Sequence, residues 1–275
     1  MRPLQHSRPQ PSAYFTPKKH LGQNFLIDPR IKQKIISACE LCPDETILEI
    51  GPGMGALTDE LIKHTRQVIA IEKDVRALNE LTLRLQNTNA LLIHADFLKY
   101  PLAQLPNKIK VVGNLPYYIA TPIMERLLLE REKFSSIYIT VQHELALRMT
   151  ASKDTKEYGA FSCFVQYYAQ VQHLFKIKNT AFKPVPKVHS AFLKLTPRNT
   201  ASLDTAQETL LFQIIRQAFQ QRRKTIVNAL AKSIAPRTLE QILDNLHLSR
   251  HLRPENLSLE NFIELTHELH KLRHQ

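Results

Sequence analysis

Short apolar runs alternate with segments of helical spacing through most of the chain before residue 145. In the segment 75–85, for example, Leu78, Leu81 and Leu85 fall on one helical face. Strands that alternate with helices are typical of a parallel sheet covered by helices on both faces. The chain is therefore predicted to adopt an α/β fold, with strands at 46–50, 68–72, 91–94, 110–112 and 136–141 and helices at 31–39, 57–64, 75–85 and 123–129.

The pattern changes towards the C-terminus. Residues 189–195 alternate apolar and polar side chains, which indicates a late antiparallel strand. The segment 199–205 is polar, and from residue 206 onward apolar residues recur at helical spacing. We therefore place a domain boundary near residue 200, between an α/β domain at 18–200 and a small all-helical domain at 201–275. Residues 1–17 hold four prolines and no acid, which predicts a disordered basic tail.

The net charge favours a polyanionic partner. Lysine and arginine number 37 against 25 acidic residues, which gives a net charge of +12 and points to nucleic acid. No run approaches the roughly 18 apolar residues that a membrane span needs, and the N-terminus lacks the apolar core of a secretory signal. Cys39, Cys42 and Cys163 are few and odd in number, so we expect a reducing, cytoplasmic location. Because the Cys-x-x-Cys pair stands alone, no metal site is expected.

Three of the six glycines, Gly51, Gly53 and Gly55, lie within five residues directly after the first predicted strand. Glycine is required where the backbone takes a positive φ or approaches a ligand closely, so this turn is predicted to contact a ligand. Its spacing is G-x-G-x-G rather than the G-x-G-x-x-G of dinucleotide sites, and no lysine follows as in a P-loop. With Glu49 before it, the turn resembles the S-adenosylmethionine site of Rossmann-like methyltransferases.

Two carboxylates follow the next two predicted strands. Glu72 ends the second strand about 20 residues after the first glycine, where an acid can accept hydrogen bonds from both ribose hydroxyls. Asp96 follows the third strand, where it could accept from the adenine amine of the cofactor. The alternative for Asp96 is a helix N-cap. We predict that both carboxylates bind the cofactor.

The segment 114–117 follows the fourth predicted strand, and ligands bind at such strand ends in open α/β sheets. Its sequence is Asn-Leu-Pro-Tyr. Motifs of this type at this point of the fold mark the methylation of an amine conjugated to a ring. The side-chain oxygen of Asn114 and the carbonyl of Leu115 can accept from the amine and let its nitrogen pyramidalise. Pro116 fixes φ and donates no hydrogen bond, and Tyr117 offers a ring on which an extruded base can stack.

Taken together, the sequence resembles the small-subunit rRNA adenine N6,N6-dimethyltransferases of the kasugamycin-sensitivity type. The segments that carry the resemblance are 18–26, 49–58, 113–122, 181–188 and 219–225. The family implies that Asn24 and Leu26 join the glycine turn at Gly51 and Gly53, the acids Glu72 and Asp96, and Asn114 around the cofactor. It also implies the transfer of four methyl groups to two adjacent adenosines in a hairpin near the 3′ end of 16S rRNA, within a late small-subunit particle. The chain departs from the family at His189, where an acid is common. This difference would affect substrate recognition and not the core chemistry.

Basic residues fit an RNA substrate. Lys18 and Lys19 begin the first matching segment, and Arg222, Arg223 and Lys224 lie together in the predicted helical domain. Such side chains neutralise phosphates and make binding depend on salt. The alternative is a solvated helix face. We expect a monomer that contacts the small ribosomal subunit through these residues.

The sequence is compatible with three rival functions. The large-subunit adenine methyltransferases of the macrolide-resistance type share the glycine turn and the Asn-x-Pro-Tyr loop, although segments 181–188 and 219–225 favour the small-subunit type. A ribosome-assembly or RNA-binding factor on the same fold would have lost activity, and the intact acids at Glu72 and Asp96 argue against that. A small-molecule methyltransferase is disfavoured by the positive charge.

Overall fold

The computed structural model describes residues 23–198 and 203–273, with helices and strands in the predicted alternation. The strands are β1 (Phe25–Leu26), β2 (Thr46–Ile50), β3 (Gln67–Glu72), β4 (Ala90–His94), β5 (Ile109–Asn114), β6 (Phe134–Gln142), β7 (Ala169–Ile177), β8 (Phe182–Lys183) and β9 (Ser190–Pro197). The helices are α1 (Pro29–Ala38), α2 (Thr58–His64), α3 (Val75–Arg84), α4 (Ala120–Leu129), α5 (His143–Thr150), α6 (Ala160–Tyr168), α7 (Thr205–Gln220), α8 (Ile226–Leu230), α9 (Pro236–Asn245) and α10 (Leu259–Arg273).

Within the described residues, seven strands form one sheet in the order β4-β3-β2-β5-β6-β9-β7. Strands β4, β3, β2, β5 and β6 pair in parallel, and β9 pairs with β6 antiparallel. The predicted α/β fold and the late antiparallel strand are therefore confirmed. Because β3 lies on one side of β2 and β5 on the other, the order reverses at β2, and a cleft opens at the carboxyl ends of these strands.

The centre of the sheet is buried on both faces. In β2, consecutive residues from Ile47 to Ile50 are all buried, although their side chains point alternately to opposite faces. Continuous burial of this kind requires cover on both sides. On one face, Ile35 and Ile36 of α1 and Leu61 of α2 belong to a core that includes Ile47. Each such side chain contributes about 1.5–3 kcal/mol by burial, which makes the sheet a rigid base for the loops above it.

A small second sheet positions the N-terminal segment. Strand β1 pairs antiparallel with β8, so that Phe25 lies opposite Lys183 and Leu26 opposite Phe182. The backbone N–H of Ile27 extends this contact by donating to the carbonyl of Ala181 at 2.9 Å. Two segments that resemble the family, 18–26 and 181–188, are thus partners in one hydrogen-bonded ladder.

Packing divides the chain into two units. Among the described residues, the first unit comprises the chain up to His143 together with His173–Leu195, and the second comprises Glu144–Gln172 together with the described residues from Thr196 onward. In the second unit, α6 packs with α7, where the Tyr168 hydroxyl donates to the Glu208 carboxylate. The domain boundary near residue 200 stays a prediction. A boundary there would place α5 and α6 in the α/β domain, whereas the packing groups these two helices with the C-terminal helices.

The predicted tail at 1–17 lies outside the described residues. So do Lys18, Lys19 and most of the predicted linker. Between residues 143 and 188 the sequence pattern gave no prediction, and there the structure has α5, α6, β7 and β8. Within the described part of the chain, no helix has the length and apolar character needed to cross a membrane.

Candidate active site

A cavity of about 1010 Å³, partly open to solvent, lies at the carboxyl ends of β2, β3, β4 and β5. The loops after these four strands and the N-terminal strand β1 supply its walls. Parallel strands bring residues that are distant in sequence to one edge of the sheet. The predicted residues found in the wall are Asn24, Leu26, Gly51, Gly53, Glu72, Asp96, Asn114, Leu115, Pro116 and Tyr117.

The glycine turn has the backbone that its sequence predicts. Gly51, Gly53 and Gly55 have φ values of 65°, 55° and 78°, a region that disfavours residues with a Cβ. At Gly53 a Cβ would also come within 2.9 Å of the Phe25 ring. The N-terminal strand therefore lies directly against the turn, and a side chain at residue 53 would push it away.

Glu72 is fixed by backbone donors at the end of β3. Its Oε1 accepts from the N–H of Asp74 at 2.7 Å, and its Oε2 accepts from the N–H of Gly53 at 2.9 Å. Burial raises the pKa of this carboxyl, although the backbone hydrogen bonds from Asp74, Gly53 and Lys73 oppose the rise. A carboxylate has about four acceptor sites, so beside these backbone donors Glu72 can still accept a hydrogen bond from a ligand hydroxyl.

Asp96 caps the turn that follows it and also lies in the cavity wall. Its Oδ1 accepts from the backbone N–H of Leu98 at 3.0 Å. Its Oδ2 accepts from the ammonium of Lys73 at 2.8 Å. Burial raises the pKa of Asp96, but the hydrogen bonds from Lys73 and Leu98 outweigh it and lower the pKa below its usual value.

The cavity holds further acids to which the sequence analysis assigned no role. Glu49, noted only as the acid before the glycine turn, is almost fully buried in the wall, and Asp74 lies beside Glu72. Burial, with added repulsion from Asp59 and Glu72, raises the pKa of Glu49 to about 8. Because Glu49 is protonated at neutral pH, the carboxylates that the wall offers as hydrogen-bond acceptors are those of Glu72, Asp74 and Asp96. They suit a ligand that carries hydroxyl and amino groups, and they repel a pyrophosphate. S-adenosylmethionine, a sulfonium with an amino group and a ribose, fits this set of acceptors.

The loop after β5 is held at three points. The side-chain amide nitrogen of Asn114 donates to the carbonyl of Asn24 at 3.2 Å, which leaves its oxygen as an acceptor. The N–H of Leu115 donates to the carbonyl of Thr140 on β6 at 3.1 Å. The Tyr117 hydroxyl lies 2.7 Å from that of Ser190, and burial raises its pKa. The ring of Tyr117 is thereby fixed in the wall.

A family model described as ribosomal RNA adenine dimethylase matches residues 14–271, which is nearly the whole chain. The chain belongs to this family. The resemblance found in the sequence motifs is therefore confirmed.

Relatives of this dimethylase match over almost their full length. The ribosomal RNA small subunit methyltransferase A of Chlamydia caviae is 40% identical over 263 residues, which cover 92% of this chain and 92% of that protein. The protein of the same name from Levilactobacillus brevis is 38% identical over 266 residues, covering 92% of this chain and 90% of the relative.

Solved structures agree with the fold of the dimethylase. A dimethyladenosine transferase from Plasmodium falciparum superposes with a TM-score of 0.79 at 25% identity, covering 90% of this chain and 98% of that one. The 23S rRNA methyltransferase ErmE superposes with a TM-score of 0.71 at 29% identity, covering 90% and 100%. The predicted Rossmann-like methyltransferase fold with C-terminal helices is confirmed.

The predicted basic cluster of the dimethylase divides into two kinds of residue. Arg222 is half-buried in the second unit, where its guanidinium contacts the Glu255 carboxylate at 3.1 Å and the Lys156 carbonyl at 3.2 Å. Arg223 and Lys224 are exposed. Arg222 therefore holds loops together, whereas its two neighbours present their charges to solvent.

The cysteines are all free thiols. Cys39 is buried at the end of α1, while Cys42 is exposed. Burial raises the pKa of the Cys39 thiol to about 12, so it stays protonated. Among the described residues, no group of three or more metal-ligating side chains is close enough to hold a metal ion.

Proposed function

We propose that this protein uses S-adenosylmethionine to dimethylate the N6 amines of two adjacent adenosines in the 3′-terminal hairpin of 16S rRNA. The substrate is the small ribosomal subunit late in its assembly, and the enzyme acts on it as a monomer in the cytoplasm. The names of the relatives and the geometry of the cavity support this proposal independently.

One observation carries the chemistry. The Asn114 amide is oriented by its hydrogen bond to the Asn24 carbonyl, so that its oxygen remains as an acceptor in the same cavity as Glu72 and Asp96. A conjugated amine needs such an acceptor, because its lone pair is delocalised into the ring. An acceptor on its N–H groups lets the nitrogen pyramidalise and attack.

The cofactor is bound by groups along the strand ends. The carboxylate of Glu72 accepts from the ribose hydroxyls, and that of Asp96 accepts from the adenine amine. The turn 51–55 brings its backbone close to the ligand. When bound, S-adenosylmethionine supplies an electrophilic methyl group on a sulfonium.

The protein's own part in the reaction is alignment. Asn114 and the carbonyl of Leu115 accept the two N–H groups of the target amine. Tyr117, fixed through its hydroxyl at Ser190, provides a ring for the extruded base. Extrusion costs a few kcal/mol, stacking returns about 1–3 kcal/mol, and correct alignment can lower the barrier by roughly 7–11 kcal/mol. No strong general base is needed, since the amine loses its proton after attack.

Charge supports the RNA partner. The net charge is +12, and Arg223 and Lys224 are exposed and able to reach phosphates. We assign these two residues, with Lys18 and Lys19, to contacts with the RNA backbone. Arg222 supports them by holding the loop through Glu255.

The second candidate is a large-subunit adenine methyltransferase, favoured by the likeness to ErmE. ErmE is 29% identical to this chain, whereas the relatives named after the small subunit are 38–40% identical. A catalytically silent assembly factor would share the fold, but it would have no reason to keep the Asn114 acceptor aimed into a cavity with Glu72 and Asp96.

A panel of RNA substrates separates these candidates. Purified protein and labelled S-adenosylmethionine are incubated with small subunits that lack the modification, with large subunits, and with naked RNA. Label in small subunits alone supports the proposal. Label in large subunits alone favours the resistance type, and binding to subunits without any label favours the silent factor.

A further inference from the structure

Arg84, the last residue of α3, contacts the glycine turn from outside the cavity. Its Nη2 donates to the carbonyl of Met54 at 2.7 Å and to Oδ1 of Asp59, in α2, at 3.1 Å. A basic residue in the last turn of a helix can bind the free carbonyls of that helix, but this guanidinium binds a carbonyl 30 positions earlier in the chain. Arg84 therefore joins three segments, which are the turn 51–55, α2 and α3.

One peptide group of the turn is held from both sides. The carbonyl of Met54 accepts from Arg84, and the N–H of Gly55, in the same peptide group, donates to the carbonyl of Pro52 at 2.9 Å. Because a peptide group is planar, these two hydrogen bonds fix its orientation. Pro52 and Gly53, which precede this group, line the active-site cavity, whereas Arg84 is not one of the described residues in the wall. The conformation of the wall thus depends on a contact made behind it.

Gly55 leaves the space that the guanidinium occupies. A Cβ at this residue would collide with Nη2 of Arg84 and would lie 2.5 Å from Cδ2 of Leu81. Any side chain here would therefore displace the arginine from the Met54 carbonyl. The third glycine of the turn is required both by its φ of 78° and by the arginine behind it.

Stability alone does not account for an arginine at this position. The Arg84 side chain is only 23% exposed, and its Nε is buried with no hydrogen-bond partner among the described residues. A buried donor without an acceptor is unfavourable, and the ion pair with the half-exposed Asp59 returns little. An apolar side chain would avoid this cost. Unsatisfied groups of this kind are found mainly where function requires them.

We propose that Arg84 is a positioning residue, which holds the glycine turn in the conformation that binds S-adenosylmethionine. The inference rests on the proposed function. The N–H of Gly53 donates to Oε2 of Glu72 at 2.9 Å, so a turn that moves also shifts the carboxylate assigned to the ribose. Because Arg84 acts through the turn, its loss is expected to weaken cofactor binding and to spare the transfer step.

The test measures the affinity of Arg84→Met for S-adenosylmethionine by calorimetry. Methionine keeps much of the length of the side chain and removes both hydrogen bonds. The control is Arg250→Met, which also removes an ion-paired arginine, from its contact with Glu240 in the second unit. Arg84→Met should bind the cofactor about 10-fold more weakly than the wild type, and the control should bind it equally well. Since the cofactor carries a net positive charge, the loss of a cation would by itself favour binding, so weaker binding reports the conformation of the turn.

Two further readouts separate positioning from a general loss of structure. At saturating S-adenosylmethionine, the kcat of Arg84→Met on unmodified small ribosomal subunits should stay within about twofold of the wild type. The Tm should change by no more than about 3 °C, because the ion pair that is removed is partly exposed. Arg84→Lys keeps a donor for the Met54 carbonyl and should recover part of the lost affinity.

A folded Arg84→Met that binds the cofactor as tightly as the wild type would overturn the inference, and so would a loss of kcat as large as the loss of affinity. If thermal melting shows that Arg84→Met is unfolded, Arg84→Gln, whose side chain is too short to bridge both acceptors, is judged by the same readouts. The wild type is assayed for cofactor binding and adenosine methylation in parallel. An active wild type with insensitive Arg84 variants refutes only the positioning role, whereas a wild type that neither binds the cofactor nor methylates refutes the proposed function.

Discussion

The side-chain amide nitrogen of Asn114 donates a hydrogen bond to the main-chain carbonyl of Asn24, 3.2 Å away. This contact ties the loop that binds the target amine to the N-terminal strand. That strand in turn lies against the glycine turn through Phe25. One hydrogen bond therefore links the side of the cavity assigned to the amine with the side assigned to the cofactor.

Replacing Asn114 with alanine should stop transfer but spare cofactor binding. The variant removes the acceptor that acts on the amine as it attacks, and losing one such preorganised group lowers kcat by about 100-fold or more. Calorimetry should show cofactor affinity within about threefold of the wild type, since Glu72 and the glycine turn are intact. The exposed Asn107 is the control, and Asn107→Ala should retain full turnover. An Asn114→Ala enzyme with near-normal turnover would refute the amine contact.

Replacing Glu72 with glutamine should weaken cofactor binding by about 10- to 100-fold. The amide cannot satisfy both backbone donors, at Asp74 and Gly53, and still accept from the ribose. Isothermal titration calorimetry measures the change, with the exposed Glu125→Gln as a control. Unchanged affinity for S-adenosylmethionine would contradict the assigned role.

The raised pKa of Glu72 gives cofactor binding a pH dependence. Protonation removes an acceptor, and because burial raises this pKa, affinity should decline on acidification at a higher pH than an ordinary glutamate would allow. Asp96 has a lowered pKa and stays ionised over that range. The decline should be absent in Glu72→Gln. If cofactor affinity in Glu72→Gln had the same pH profile as in the wild type, the titration would belong to another group.

Glu49 should destabilise the ligand-free protein at alkaline pH. Its pKa is about 8 in the folded chain, against 4.5 as the ordinary value, because the carboxyl is buried. Between these values the folded state holds a proton that the unfolded state releases, so the free energy of unfolding falls as the pH rises through that window. Glu49→Gln should raise Tm on the order of 5 °C at a pH of about 9 and have little effect at a pH of about 4. An equal shift at both pH values would refute the protonation account.

Much of the first unit could be predicted from local pattern. The bounds of β2 were found because an apolar run ends abruptly at Gly51, and Glu72 and Asp96 were found because they follow strands. Strand β7 was not predicted. Its alternation of Ala169, Val171, Phe175 and Ile177 is interrupted by His173 and by Leu174, which falls out of phase.

Contacts between distant segments could not be read from local pattern. Asn24 entered the site only through family resemblance, since its position depends on the pairing of β1 with β8 far along the chain. The different roles of Arg222 and Arg223 could likewise not be predicted, because the ion pair between Arg222 and Glu255 joins residues 33 positions apart.

The basic cluster should separate into stability and binding effects. Arg222→Ala removes a partly exposed ion pair and a hydrogen bond to the Lys156 carbonyl, and should lower stability by about 1 kcal/mol. The double variant Arg223→Gln with Lys224→Gln should leave Tm unchanged and reduce the salt slope of binding to small subunits by about 2. Thermal melts and filter binding measure the two effects. A lower Tm in the double variant, with an unchanged salt slope, would show that Arg223 and Lys224 act in stability and not in RNA binding.

The most direct test of the central claim is mass spectrometry of RNA from small ribosomal subunits that lack the modification. The subunits are incubated with S-adenosylmethionine and either the wild type or Asn114→Ala, and the RNA is digested to nucleosides and to mapped fragments. The account predicts N6,N6-dimethyladenosine at two adjacent positions in the 3′-terminal hairpin with the wild type, and at least about 100-fold slower formation with the variant. Methylation at another base, or none with a folded wild-type protein that binds cofactor, would contradict it.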